Sequence, residues 1–261
     1  MGKRILTGVI GVPLIILCIF GPVSMMYLLS AVIMGMLYYE LEKMHRKKSE
    51  KNLLKFNLAH GVIAFLLYCF ITQNLAFILA ILTVAVVIET VFSYPYISMR
   101  DMYFLVFSNL YCGWLPLHIL AVRELNKGAW LLMSAFILVW VCDSGAYFTG
   151  RLFGKHKMAP RLSPNKTIEG AIGGILLAVL AGLILQYYGV FSLKLSYVVV
   201  LSAIIAFAAI IGDLFESYLK RSYDVKDSGN ILPGHGGFAD RFDSFIMVIP
   251  LYFYFFQWMM Q

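Results

Sequence analysis

From Ile5 to Tyr39 the sequence is apolar and nearly free of charge, a run too long for one bilayer crossing and interrupted by Gly21-Pro22. A spanning helix needs about 20 mainly apolar residues, so this run reads as two spans. Asn57 to Ser93 is likewise two, hinged near Gln73-Asn74. Single spans are expected over Met102–Val122, Ala129–Thr149, Ile168–Val190, Tyr197 to about Lys220, and Phe242–Met260. The expected fold is all-α: a polytopic integral membrane protein of about nine transmembrane helices. It reads as a single integral-membrane domain over residues 1–261, with a catalytic region at about 139–244.

Composition excludes a soluble globule. Hydrophobic residues make up 61% of the chain and charged ones 13%, against about 45–50% and roughly 25% in soluble domains. One soluble core cannot absorb that surplus, so it must face lipid. The four cysteines lie in apolar stretches without a CxxC pair, which argues for packing rather than a disulfide framework or zinc site. Lys3 and Arg4 before an apolar run imitate a signal peptide. No small-residue cleavage site follows, so an uncleaved first span is expected.

The distribution of charge orients the helices. With the N-terminus in the cytoplasm, eighteen of the 21 Lys and Arg fall on inner segments, and only Arg123, Lys127 and Lys194 lie outside. That asymmetry is what the positive-inside rule requires. It also accounts for the net charge of +7 without nucleic acid. Two inner loops, Gly150–Thr167 and Arg221–Asp240, are long and polar, and both belong to the C-terminal half.

Acids in a span are costly, about 2.5–3.5 kcal/mol at a helix centre, yet Asp143, Asp213, Glu216 and Asp243 sit in or at the ends of C-terminal spans. Asp213, Glu216, Ser217 and Lys220 share one helix face by their spacing. That stripe suits an internal ion pair between helices or a reaction site. The loop beyond holds Lys226, Asp227 and then Gly234-His235-Gly236-Gly237, where glycines let amides approach an anion. Asp240 and Asp243, one turn apart and flanking Arg241, can converge on one centre. Hard oxygen ligands beside phosphate-binding cations point to Mg²⁺ on a nucleotide's phosphates.

The other inner loop offers Arg151, Lys155, Lys157 and Arg161, readable equally as phosphate-binding cations or as solvated topogenic charge, and then Ser163-Pro164-Asn165-Lys166-Thr167. Pro164 is expected to make a turn, and Lys166 stands where the next helix begins, a favourable place for phosphate. Gly150–His156 imitates a Walker A loop but is one residue short and lacks the closing Ser or Thr. Glu89 reads as a packing or helix-partner acid, and His60 and His118 as satisfied interior histidines.

The run from Ser217 to Asp243, SYLKRSYDVKDSGNILPGHGGFADRFD, resembles the signature of the phosphatidate cytidylyltransferase family over all 27 positions. Asp143-Ser144-Gly145-Ala146-Tyr147 through Gly170 resembles that family's second conserved region, while the N-terminal half agrees mainly in hydropathy. The resemblance implies a multi-helix membrane fold, often a homodimer, with a site facing the cytoplasm. It implies transfer of a cytidylyl group from CTP to phosphatidate in the cell membrane. It further implies divalent-metal chemistry, with one or two ions, at Asp213, Asp240 and Asp243, and Ser217 and Lys220 near the phosphates. Asn165 departs from the family's frequent Pro-Lys-Lys-Thr motif, so Lys166 alone carries over there.

On that basis Lys166, Arg221, Lys226 and Arg241 are phosphate-binding candidates, and His235, Gly236 and Gly237 would shape the nucleotide loop. Asp143 and Asp227 are outer metal partners or hold those cations in position. Phosphatidate brings its own nucleophile, which agrees with the lack of a Ser-His-Asp or Cys-His set. The rival expectation is an ion or solute transporter, because intramembrane acids also mark ion pathways.

Overall fold

The computed structural model describes residues 2–229 and 236–259. Its helices fall on the apolar stretches. They are α1 (Gly2–Phe20), α2 (Val23–His45), α3 (Leu54–Phe70) and α4 (Leu75–Phe92), then α5 (Met99–Ser108), which runs through a π-helical turn (Asn109–Trp114) into α6 (Leu115–Glu124). The C-terminal half holds α7 (Gly128–Phe153), α8 (Ile168–Tyr187), α9 (Leu195–Ser222) and α10 (Ala239–Met259).

Local chemistry sets the breaks. Pro22 precedes α2 in an extended conformation, with φ −52° and ψ 144°. At the expected hinge, Asn74 caps α4 by accepting from Phe77 N at 3.1 Å. α5 starts on a capping box, Ser98 with Asp101. The π turn has a cause in the sequence. Pro116 has no N–H to donate to the carbonyl four residues back, and Leu115 N reaches back five residues to Leu110 O.

Among the described residues, seven helical rods are long and apolar enough to cross a bilayer, counting Met99–Glu124 as one. Gly11–Phe20 and Leu54–Phe70 are shorter apolar helices. At 1.5 Å per residue, α3 is about 26 Å long against about 30 Å of hydrocarbon. Many large apolar side chains point away from the protein, among them Phe70, Val91, Phe92 and Leu176. Such a surface suits lipid rather than water.

The core is built around the Met99–Glu124 rod, with Leu105, Leu117, Leu120 and Val122 fully buried against neighbours such as Leu37, Leu132 and Ile246. Polar pairs join the N-terminal helices inside this apolar mass. His60 shares a 3.0 Å hydrogen bond with Asn109, and Glu89 lies 3.2 Å from His60. The lone Glu89 is thus a helix partner. His118 Nδ1 lies 3.1 Å from the carbonyls of Trp114 and Leu115.

Three expectations need correction. α7 continues to Phe153, so the inner loop is shorter than Gly150–Thr167. That loop contains a small antiparallel hairpin, β1 (Lys157–Ala159) with β2 (Ser163–Thr167). Pro164 lies inside β2 and not in the turn, which falls at residues 160–162 and closes with Leu162 N donating to Ala159 O at 3.1 Å. A two-stranded hairpin is all edge, and an edge strand tolerates a missing donor. Finally, the helix does not stop with the apolar run at Tyr39: α2 extends to His45, which puts Glu40 inside a helix and wholly buried.

Candidate active site

The C-terminal part of α7, the end of α9, the start of α10 and the hairpin surround a cavity of about 730 Å³. Its lining includes Asp143 from α7, Lys166 from β2, Asp213 and Lys220 from α9, Asp227 from the following loop, and Asp240, Arg241 and Asp243 from α10. Eight of the residues singled out in the sequence therefore share one polar cleft, although they come from five segments.

Close helix packing brings the carboxylates together. Gly212 faces α10 so tightly that a Cβ there would lie 2.9 Å from Asp243 O and 3.0 Å from Ser244 Cα. Any side chain would push α10 outward and carry Asp243 away from the neighbouring Asp213. The negative charges of Asp143, Asp213 and Asp243 act on one another across the cleft. Lysines offset them: Lys166 Nζ stands 2.5 Å from Asp213 Oδ2. Lys220 Nζ donates to Glu216 Oε2 at 2.8 Å and to Asp240 Oδ1 at 2.5 Å. The expected face of α9 thus exists, and part of it is an internal ion pair.

Asp240 is fully engaged. Besides Lys220 on Oδ1, its Oδ2 accepts from Ser228 N at 3.1 Å, Ser228 Oγ at 3.1 Å and Gly237 N at 2.8 Å. Gly236 adopts φ +81°, and a Cβ on it would lie 3.1 Å from Asp240 Oδ2. Glycine therefore lets the loop fold onto this carboxylate. Among the described residues no three His, Cys, Asp or Glu are grouped so as to hold one metal ion.

Other candidates stand apart. Ser217 lies on α9 outside the cavity lining. Arg221 turns to the loop, donating to Val225 O at 3.3 Å, and Lys226 is exposed. Gly237 shapes the loop without lining the cleft. His235 lies outside the described residues.

The cleft and the loop beside it also involve residues that the sequence did not single out for them. Arg151, which the sequence leaves open between a phosphate-binding cation and topogenic charge, lines the cleft with Tyr147, Ser163, Asn165 and Ser244. Glu40, 188 residues from Ser228, reaches the loop from α2. No local pattern marks such a contact; the only cue is an acid at the edge of an apolar stretch.

The Cytidylyltransferase family profile matches residues 2–259. A phosphatidate cytidylyltransferase of Bacillus subtilis is 36% identical over 274 aligned residues, covering 97% of each chain. Those of Staphylococcus haemolyticus and Staphylococcus aureus are 43% and 42% identical over 162 residues, 62% of each chain. With its acids and cations gathered in one cleft and the match running nearly end to end, the chain belongs to the cytidylyltransferase family.

Proposed function

We propose that this protein transfers the cytidylyl group of CTP to phosphatidate, giving CDP-diacylglycerol and pyrophosphate for phospholipid synthesis. The observation that carries this proposal is the single cleft in which Lys166, Lys220 and Arg241 stand among Asp143, Asp213 and Asp243, in a chain whose relatives bear that activity in their names.

The substrate's own phosphomonoester is the nucleophile. Its second pKa is near 6, so it is largely dianionic at neutral pH and needs no general base. A phosphatidate oxygen bonds to the α-phosphorus as the bond from that phosphorus to the bridging β-phosphate oxygen breaks. The electron pair leaves with pyrophosphate. The protein's task is to bring two polyanions together and to balance the charge that grows on the leaving group. Lys166 and Arg151 serve the phosphates from the hairpin side, and Lys220 and Arg241 from the α9–α10 side. Exposed Tyr147, Phe148, Leu152 and Phe153 on α7 supply an apolar border beside the cleft. Acyl chains can stay in lipid there while the headgroup enters.

A hard cation fits part of this donor set. Mg²⁺ takes one or two protein carboxylates and completes its shell with water and substrate phosphate. Asp213 and Asp243 offer such carboxylates, and their mutual repulsion favours a cation between them. Asp240 fits less well, since Lys220, Ser228 and Gly237 take up its oxygens. We assign it to organising the loop. Mg²⁺ held by Asp213 and Asp243 would neutralise phosphate charge and polarise the α-phosphorus.

We place the protein in the cell membrane as a homodimer with nine crossings, its N-terminus and cleft facing the cytoplasm. The one-sided distribution of Lys and Arg supports the orientation, and the dimer rests on the family resemblance alone. Transport through the intramembrane acids finds no support in the named relatives. Purified protein given labelled CTP, phosphatidate and Mg²⁺ in detergent should form CDP-lipid and pyrophosphate, and no gradient is needed. Absence of both products, together with substrate flux in sealed vesicles, would reverse the choice between enzyme and transporter.

A further inference from the structure

We infer that Glu40, on α2, is a positioning residue for the reaction, whose carboxylate clamps the loop before α10 and so sets where Asp240, Arg241 and Asp243 stand. The inference rests on the cytidylyltransferase reading of the cleft. Glu40 itself is not among the cavity-lining residues.

Glu40 is fully buried. A buried carboxylate is costly unless hydrogen-bonded, and three donors meet this one. Phe238 N donates to Oε1 at 2.7 Å; Ala239 N and Ser228 Oγ donate to Oε2, each at 2.8 Å. Ala239 opens α10 and Phe238 immediately precedes it, where amides lack partners within the helix and the dipole favours negative charge. Glu40 thus caps a helix 199 residues away in sequence.

The geometry divides the loop between two acids. The consecutive amides of Gly237, Phe238 and Ala239 go to Asp240, Glu40 and Glu40 in turn. Ser228 Oγ lies 2.8 Å from Glu40 Oε2 and 3.1 Å from Asp240 Oδ2, so one hydroxyl proton serves both carboxylates. The chain leaves this clamp at Gly229 and returns to it at Gly236. Gly237 has no room for a Cβ, which would fall between Ser228 and Glu40. Asp240 also holds Lys220, so a shift at Glu40 passes through Ser228 and the start of α10 into the cleft.

The test compares full-length Glu40→Gln, Glu40→Ala and Ser228→Ala proteins with wild type in detergent. Glu40→Gln keeps the size but presents an amide NH₂ to a donor. A misplacement near 1 Å can cost about a hundredfold in rate, so kcat should fall by about ten- to a hundredfold in both Glu40 variants. The KM for phosphatidate should change by less than about threefold, because the lipid side of the cleft is untouched. Hydrogen exchange without substrate should quicken at residues 237–239 and not at 131–139 of α7. Ser228→Ala should act in the same direction and add little to Glu40→Gln. Wild-type kcat in both Glu40 variants overturns the proposal. So does faster exchange spread equally over α7 and α9, which makes Glu40 a general support. If wild type forms no CDP-lipid, the enzyme reading fails, and exchange at 237–239 still decides whether Glu40 clamps the loop.

Discussion

Lys220 Nζ lies 2.5 Å from Asp240 Oδ1, a bond that ties the C-terminal end of α9 to the first turn of α10. The same ammonium meets Glu216, whose side chain is 1% exposed. One lysine therefore balances two largely buried carboxylates from two helices. Removing one partner of a buried pair costs about 3–5 kcal/mol, because the remaining charge is left uncompensated.

Lys220→Met should accordingly lower the unfolding temperature in detergent and bring turnover close to background. Lys220→Arg should keep much of the stability, since it keeps the charge. Thermal unfolding followed by fluorescence, with activity on the same samples, checks both. Equal stability of Lys220→Met and wild type would show that Glu216 and Asp240 do not depend on this cation.

The proposed split between carboxylates can be measured. Asp213→Asn and Asp243→Asn should raise the Mg²⁺ concentration for half-maximal rate and cut turnover by about a hundredfold or more. Asp240→Asn should cut turnover with little change in Mg²⁺ demand, because its oxygens hold Lys220, Ser228 and Gly237. EDTA should silence wild type, and Mg²⁺ should restore it. Full activity in EDTA, or an Mg²⁺ shift largest in Asp240→Asn, would reverse the assignment.

Packing makes a separate prediction at Gly212. A methyl group there meets the α10 backbone at Asp243 O and Ser244 Cα rather than a movable side chain. Overpacking of this kind costs about 1–3 kcal/mol. Gly212→Ala should therefore fold with reduced stability and lose activity out of proportion, as Asp243 is pushed from Asp213. Full activity in this variant would show that the distance between these two acids does not matter.

The helices were legible because hydropathy is a local property: the break at Gly21-Pro22 and the hinge before Asn74 are written in adjacent residues. The face carrying Asp213, Glu216 and Lys220 follows from helical spacing alone. The hairpin at residues 157–167 was not legible, because its strands are three and five residues long and show no apolar alternation. Glu40 was hidden for a different reason: its partners lie 188 to 199 residues away. Spacing rules see one helix at a time. The identity of Asp240 as an acid was plain, but its full set of donors depends on how Ser228 and Gly237 fold back on it.

Orientation can be probed with single cysteines on a cysteine-free background. Ser228 is a poor reporter because it is buried. Lys47, Lys157 and Asp224 are exposed. Cysteines there should react with a membrane-impermeant reagent in inverted vesicles and not in intact cells. Labelling of position 157 or 224 from outside would invert the topology on which the cytoplasmic cleft rests.

The order of bond making and breaking can be read at the α-phosphorus. If phosphatidate attacks CTP directly, both substrates occupy the cleft together and no cytidylyl-enzyme forms. The residues around the cleft favour this route: Lys166, Lys220 and Arg241 can balance phosphate charge, whereas Ser217 lies outside the cavity lining. Phosphatidate already brings a dianionic oxygen. A single in-line displacement inverts configuration at phosphorus, while a covalent relay uses two displacements and retains it. CTP made chiral at the α-phosphorus by sulfur substitution should therefore yield CDP-lipid of inverted configuration. Omitting phosphatidate should leave no radiolabel from CTP on the protein. Retention, or a cytidylyl group trapped on Ser217, would overturn direct attack and require a nucleophile that the cleft must move into place, while leaving the family assignment intact.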